Sequence, residues 1–304
     1  MSERADEITT RYGHVALIGA PNAGKSTLLN RLVGSRLAIV TPKVQTTRAR
    51  MLGIVIHGNA QIVFIDTPGI FGPKRRLERA MVKAAWAGAQ DADVVVVLVD
   101  VARGLDEDTG RIIDGLRAEG RRAVLALNKI DKVKRAGLLP LAQALDQEGV
   151  FDRVFMISAL TGDGVEDLKA YLANALPKGP WLYREDEITD APLRLLAAEA
   201  TREQIFRQLH QELPYSATVE TEKWEDRPDG SVRIDQIIHV AREGQRAIVL
   251  GKGGQQIKSI GAAARAELET MFSRRVHLFL HVRVTEDWTE DRERYAAMRL
   301  DFDE

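Results

Sequence analysis

Residues 14–34 read "HVALIGAPNAGKSTLLNRLVG", and the order of their parts decides the fold. Six residues of strand character run into G-x-x-x-x-G-K-[ST] at Gly19, Gly24, Lys25 and Ser26, and a helix pattern begins at Lys25. Glycines there let the backbone wrap phosphate groups, a lysine reaches the β and γ phosphates, and a serine hydroxyl ligates Mg²⁺. The helix start adds N–H groups and the positive end of its dipole. The whole loop, Gly19, Ala20, Pro21, Asn22, Ala23, Gly24, Lys25, Ser26 and Thr27, is therefore expected to hold a nucleotide's phosphates.

From this unit the pattern continues to about Leu176 as alternating strand-like and helix-like segments, which predicts a mostly parallel sheet covered by helices. The expected strands are "HVALIG", "GIVIHG", "QIVFID", "DVVVVLVD", "RAVLALN" and "RVFMIS". Several are nearly continuous apolar runs, as strands buried on both faces must be. Each further motif stands where one of these strands ends, the side on which open α/β sheets bind ligands.

Asp66 closes "QIVFID", and Thr67, Pro68 and Gly69 follow it. In this D-x-x-G arrangement the aspartate holds the Mg²⁺ water shell and the glycine N–H meets the γ-phosphate. "NKID" at 128–131 selects the base. Guanine presents two N–H donors that one carboxylate, Asp131, can accept, whereas adenine presents an acceptor at N1 and has no 2-amino group. Asn128 and the Lys129 stem frame the base, and Ser158, Ala159 and Leu160 follow the sixth strand, with the Ala159 N–H available to guanine O6. Between the first two motifs lies "TPKVQTTRAR", whose Thr47, with Thr46 as the alternative, offers a hydroxyl to Mg²⁺ and the γ-phosphate. The expected metal ligands are thus Ser26, Thr47 and, through water, Asp66.

With these elements in place the chain resembles the translation-factor-related GTPases, and "PNAGKST" with "QTTR" is similar to the Era family. The resemblance implies a GTP- and GDP-binding domain that hydrolyses GTP slowly. Small GTPases place a water-orienting glutamine after the D-x-x-G glycine. Era-like proteins commonly place an apolar residue there, and Ile70 agrees with that. Catalysis is then expected from Lys25, Thr47, Gly69 and Mg²⁺, because phosphoryl transfer needs mainly positioning and charge stabilisation. Asn22 has two readings: in related GTPases its equivalent ligates a potassium ion, and asparagine also shapes turns by itself.

After "LPKGPWLYREDEITD" at 176–190, a junction in which Trp181 and Tyr183 are expected to pack, the pattern changes. A helix-period stretch from Leu193 precedes two strands joined through "RPDGS", and then comes "AIVLGKGGQQIKSIG". Gly251, Lys252, Gly253 and Gly254 form a G-x-x-G loop, the backbone clamp of a KH module, with Lys258 one turn into the next helix. "VHLFLHVRV" supplies a last strand, and the α-β-β-α-α-β order is that of the C-terminal KH domain of Era-like proteins. The fold expected is α/β: a P-loop GTPase domain over 1–176, a linker over 177–191, and a smaller α+β type II KH domain over 192–304 with an acidic tail from Glu286.

Composition narrows the partners. The 304 residues, 45% hydrophobic and 29% charged, suit two domains, and a formal charge of −1 gives no global attraction to nucleic acid. RNA binding must come from a local patch, and Arg242, Arg246, Lys252, Lys258, Arg265, Arg274 and Arg275 supply one around the glycine loop. The polar start lacks a signal-peptide core, the longest apolar run is strand-sized and cysteine is absent, so a cytoplasmic location is expected. The family resemblance implies small-subunit rRNA near its 3′ end, assembly of the 30S subunit, loose peripheral membrane association and no DNA partner. Two alternatives stay open on the residues alone: a membrane- or protein-regulating GTPase whose KH fold contacts protein, and a tRNA-modifying GTPase.

Overall fold

Four consecutive valines, Val94 to Val97, sit at the centre of a six-stranded sheet, since β-branched side chains suit a strand covered on both faces. In the computed structural model the strands of this sheet are β1 (Arg11–Gly19), β2 (Met51–His57), β3 (Ala60–Asp66), β4 (Val94–Asp100), β5 (Ala123–Asn128) and β6 (Phe151–Ile157), in the order β2-β3-β1-β4-β5-β6. All neighbours pair in parallel except β2 with β3, which form an antiparallel edge hairpin. The covering helices are α1 (Lys25–Val33), α2 (Arg76–Gln90), α3 (Glu107–Ala118), α4 (Leu138–Asp146) and α5 (Val165–Ala175). In α1 the buried Leu28, Leu29 and Leu32 recur at helical spacing. Asp106 caps α3 by accepting from the Thr109 N–H at 2.8 Å.

The structure describes residues 9–302 apart from Pro42, Val44, Gln45, Ala49, Gln211, Glu212, Asp287, Thr289 and Glu290. The polar start, residues 1–8, and part of the acidic tail lie outside the described residues. By their contacts the residues form two units, one taking the chain up to Ala38, Thr47–Asp190 and the residues from Met298 on, the other Ile39–Thr46 and Ala191–Ala297. In the first unit the backbone N–H of Ile54 on β2 donates to Ile188 O at 2.9 Å. Gln61 Oε1 accepts from the N–H groups of Leu182 and Tyr183, and Trp181 Nε1 donates to Asn59 O. Arg299 pairs with Asp190 at 3.0 Å, and the Arg76 guanidinium stands 4.3 Å from the Phe302 ring centroid.

The second unit contains α6 (Leu193–Gln208), β7 (Ala217–Asp226), β8 (Val232–Val240), α7 (Glu243–Leu250), α8 (Gln255–Phe272), β9 (Val276–Val284) and α9 (Arg292–Ala297). Its sheet has the order β7-β8-β9, with β7 antiparallel and β9 parallel to β8. Ile205, Ile238, Val249 and Ile260 meet in its core. Among the described residues no helix is long and apolar enough to cross a membrane.

Candidate functional site

The phosphate loop leaves β1 at Gly19 and enters α1 at Lys25, and its carbonyls are tied one after another. Gly19 O and Ala20 O accept from Lys25 Nζ at 3.0 and 3.1 Å, and Pro21 O from Arg103 Nη1 at 3.1 Å. Asn22 O accepts from Lys129 Nζ at 2.6 Å and Ala23 O from Asn128 Nδ2 at 2.8 Å. A trans peptide sets its C=O and N–H on opposite sides, so fastening these carbonyls also fixes the directions of the loop amides that phosphate oxygens would meet. Two backbone features serve this close fit. Asn22 adopts a left-handed φ of 63°, which asparagine tolerates. At Gly24, φ is 104° and a Cβ would lie 2.2 Å from Asn128 Nδ2, so only glycine lets the loop meet β5.

At the foot of α1 three oxygens converge. Ser26 Oγ lies 2.9 Å from Thr47 Oγ1 and donates to Asp66 Oδ2 at 2.8 Å, while Thr47 Oγ1 donates to the same oxygen at 3.5 Å. Asp66 is fully buried, and its Oδ1 has no hydrogen-bond partner among the described residues. Burial raises the Asp66 carboxyl to about 6 against the pull of Lys25, Ser26 and Thr47; burial also pushes the Lys25 ammonium down to about 8 against the pull of Asp66. Two hydroxyls, a buried carboxylate with a spare oxygen and an adjacent ammonium fit a hard divalent cation beside phosphates, so the residues present suit Mg²⁺. Thr46 gives its carbonyl to Arg202.

Thr67 is anchored through its hydroxyl to Leu17 O at 2.8 Å, and Gly69 sits against the phosphate loop, where a Cβ would come within 2.9 Å of Pro21. Ile70 is 2% exposed and packs in the core with Ile18, Ile65 and Val97. At the base end, Asn128 Oδ1 accepts from the Ala159 N–H at 2.9 Å, and Ser158 Oγ donates to Asp131 Oδ1 at 2.6 Å. Lys129 pairs with Asp100 at 2.6 Å, while Leu160 is exposed and its carbonyl accepts from Arg31. The residues expected to meet a nucleotide are thus gathered around the carboxyl ends of β1, β3, β5 and β6. Arg103, in the turn after β4, is a site residue that motif reading does not reach. Its one signal in the sequence is its place just after the carboxyl end of β4.

In the second unit Gly251, Gly253 and Gly254 all have left-handed φ values, 69°, 60° and 76°. A Cβ at Gly251 would lie 2.6 Å from the Gln256 side chain, whereas at Gly253 and Gly254 it would meet open space, which fits a close approach from outside. Lys258 and Arg265 of α8 line a groove of about 310 Å³ against β9. Within the basic patch, Arg246 pairs with Glu243 and Arg274 with Asp226.

A phosphate loop, a D-x-x-G turn and a guanine-reading N-K-x-D on one mostly parallel sheet, followed by a glycine-loop α+β unit, define a P-loop GTPase domain joined to a KH domain. Residues 14–129 match the model of the 50S ribosome-binding GTPase family and residues 212–289 that of the KH domain. The GTPase Era of Rhizobium meliloti (strain 1021) is 58% identical over 298 residues, 98% of this chain and 95% of that protein. That of Afipia carboxidovorans is 59% identical over 293 residues, 96% of this chain and 95% of its own. This chain belongs to the Era family of GTPases. Among solved structures, a tyrosine-to-alanine variant of Aquifex aeolicus Era bound to GDP·AlF4⁻ superimposes with a TM-score of 0.90 at 37% identity, covering 95% of this chain and 99% of that one. An Era complex with MgGDPNP and nucleotides 1506–1542 of 16S ribosomal RNA gives the same score and identity over 95% and 98%.

Proposed function

We propose that this protein is a slow GTP-hydrolysing switch that binds single-stranded RNA near the 3′ end of the small-subunit rRNA and assists assembly of the 30S subunit. The convergence of Ser26, Thr47 and Asp66 at the foot of the phosphate loop carries the hydrolase half. The KH-type glycine loop beside a cation-lined groove supports the RNA half, as does likeness to an Era that was captured with 16S rRNA.

Lys25 and the loop amides orient the β and γ phosphates, Thr47 and the Gly69 N–H face the γ-phosphate, and Asp131 with Asn128 fixes the guanine. Bound Mg²⁺, held by Ser26 and Thr47 and through water by Asp66, would neutralise charge on the transferring phosphoryl group. Ile70 has no atom to orient water, so hydrolysis relies on positioning and charge. Potassium at Asn22 is a further part of the proposal: replacing potassium with sodium should slow wild-type hydrolysis and affect Asn22→Ala much less. Equal wild-type rates in both salts would remove the ion. Cytoplasmic residence is supported by the polar start and strand-sized apolar runs and loose membrane contact by the family resemblance; fractionation tests both.

The deciding experiment is a titration of wild type and the double variant Lys252→Asp/Gly253→Asp against a short single strand that carries the 3′-terminal sequence of small-subunit rRNA. Affinity should fall in the variant and, for wild type, with rising salt. GTP binding, the control, should persist. Unchanged RNA affinity in a folded variant would leave the glycine loop as a structural turn.

A further inference from the structure

Helix α1 begins at the phosphate loop and ends at a second loop of the same site. Lys25 is its first residue and Arg31 lies in its last turn, a rise of about 9 Å at 1.5 Å per residue. From there Arg31 Nε donates to Ala159 O at 3.3 Å, and Nη2 donates to Leu160 O. The guanidinium also lies against Gly162, where a Cβ would stand 3.7 Å from Nη1. Two carbonyls of the turn after β6 are thus fastened from α1. The Leu160 side chain gives that turn little anchorage, being 66% exposed.

Three successive amides of the turn differ in what they meet. The Ala159 N–H donates to Asn128 Oδ1 at 2.9 Å and the Thr161 N–H to Ser158 Oγ at 3.1 Å, whereas the Leu160 N–H has no partner among the described residues. The Leu160 N–H belongs to the same peptide as the Ala159 carbonyl, and a trans peptide sets the two on opposite sides. Arg31 on that carbonyl therefore fixes the direction of the one amide of the three left for a ligand. The flanking amides tie the turn to Asn128 directly and to Asp131 through Ser158 Oγ, which donates to Asp131 Oδ1 at 2.6 Å.

We propose that Arg31 is a positioning residue for guanine, holding the Ala159–Leu160 peptide so that the Leu160 N–H meets O6. The sequence pattern points to the Ala159 amide for this contact; in the structure Asn128 engages that amide. The proposal rests on the guanine reading of Asn128 and Asp131 above. Guanine carries an acceptor at position 6 and adenine a donor, so a fixed N–H there favours the one and opposes the other.

The test titrates GTP, ATP and 6-thio-GTP against wild type, Arg31→Ala and Arg31→Lys. The thio analogue keeps the N1 and 2-amino donors and places a weakly accepting sulfur at position 6. Arg31→Ala should lose roughly 2- to 10-fold in GTP affinity, the net worth of one hydrogen bond, and much less for 6-thio-GTP. Its ATP affinity should not fall, so the preference for GTP over ATP narrows. Arg31→Lys, which still donates to a carbonyl, should recover part of the loss. The loss should fall on binding, with the single-turnover rate at saturating GTP within about twofold of wild type. A second measurement replaces the Leu160 N–H by an ester oxygen, through incorporation of the α-hydroxy analogue of leucine. GTP affinity should fall about as far as in Arg31→Ala, and the two changes together should lose no more than either alone. Wild-type GTP affinity in Arg31→Ala, equal losses for GTP and 6-thio-GTP, or additive losses in the combined variant would overturn the positioning role. If wild type still prefers GTP to ATP in that series, only the role of Arg31 fails; if it binds both alike, the guanine reading fails with it.

Discussion

The backbone N–H of Ile70 donates to the carbonyl of Gly19 at 3.1 Å, joining the D-x-x-G turn to the first residue of the phosphate loop. The main chain of Ile70 therefore belongs to the site while its side chain belongs to the core. Ile70→Ala should keep single-turnover GTP hydrolysis within roughly tenfold of wild type, about 1.4 kcal/mol of barrier. Stability should fall by about 2–5 kcal/mol, as for other buried isoleucine truncations, so the assay is run well below the variant's melting temperature. A loss of about 10³ in rate would mean that the side chain holds the catalytic geometry.

Ser158 Oγ presents a donor to one oxygen of Asp131 and so fixes the carboxylate that reads guanine. Asp131→Asn should lower GTP affinity by more than about 10² and shift preference toward xanthine nucleotides, whose C2 carbonyl suits an amide donor. Competition between GTP, ATP and XTP measures this. Equal affinity of wild type for ATP and GTP would sink the assignment of the base site.

The two buried charges beside the phosphate loop set a pH window. Asp66, raised to about 6, contributes to the stability of the ligand-free protein below its unfolded value near ~4, and that contribution is lost as pH rises through about 6. Mg²⁺ needs the carboxylate, so its binding weakens as pH falls through about 6; phosphates need the Lys25 ammonium, so nucleotide binding weakens as pH rises through about 8. Mg·GTP affinity should peak between the two values in a calorimetric pH series. Asp66→Asn should remove the acid limb and leave the alkaline one.

Arg103 gives the phosphate loop a tether that carries charge. It also reaches Asp106 at 2.5 Å, so the loop is linked to the cap of α3. Because the Arg103 side chain is 42% exposed, its hydrogen bond to Pro21 O is screened, and Arg103→Ala should weaken GTP binding by about fivefold, near 1 kcal/mol. Arg103→Lys should recover part of the loss in a nucleotide titration. An affinity equal to wild type in Arg103→Ala would make the tether incidental.

Much of the fold was legible because its motifs fix chemistry to spacing. Glycine, lysine and serine at 19–26 can be read without neighbours, and the strand runs that feed Asp66 and Asn128 are apolar enough to be seen. The alternation of "VHLFLHVRV" likewise assigns the core face of β9. Other features have no local signature. Sequence cannot separate Thr46 from Thr47, since both carry hydroxyls; only the folded path shows Thr47 beside Ser26. His239 reads as one more strand residue. In the fold it is held down to about 4, first by burial and then by Arg294. The ties of Arg299 to Asp190 and of Arg76 to Phe302 join residues too far apart in the chain for any pattern to announce.

The interleaving of the chain between its two units bears on the order in which it is made. The phosphate loop, Thr47, the D-x-x-G turn, "NKID" and "SAL" all precede Asp190, whereas the glycine loop follows by about sixty residues and Arg299 lies beyond it. On a translating ribosome, where domains form as units from the N-terminus, the nucleotide pocket can assemble before the KH unit has emerged. The partner of Asp190 then arrives only after the residues of the KH unit, so the first unit to begin taking shape gains this tie after the second has been made.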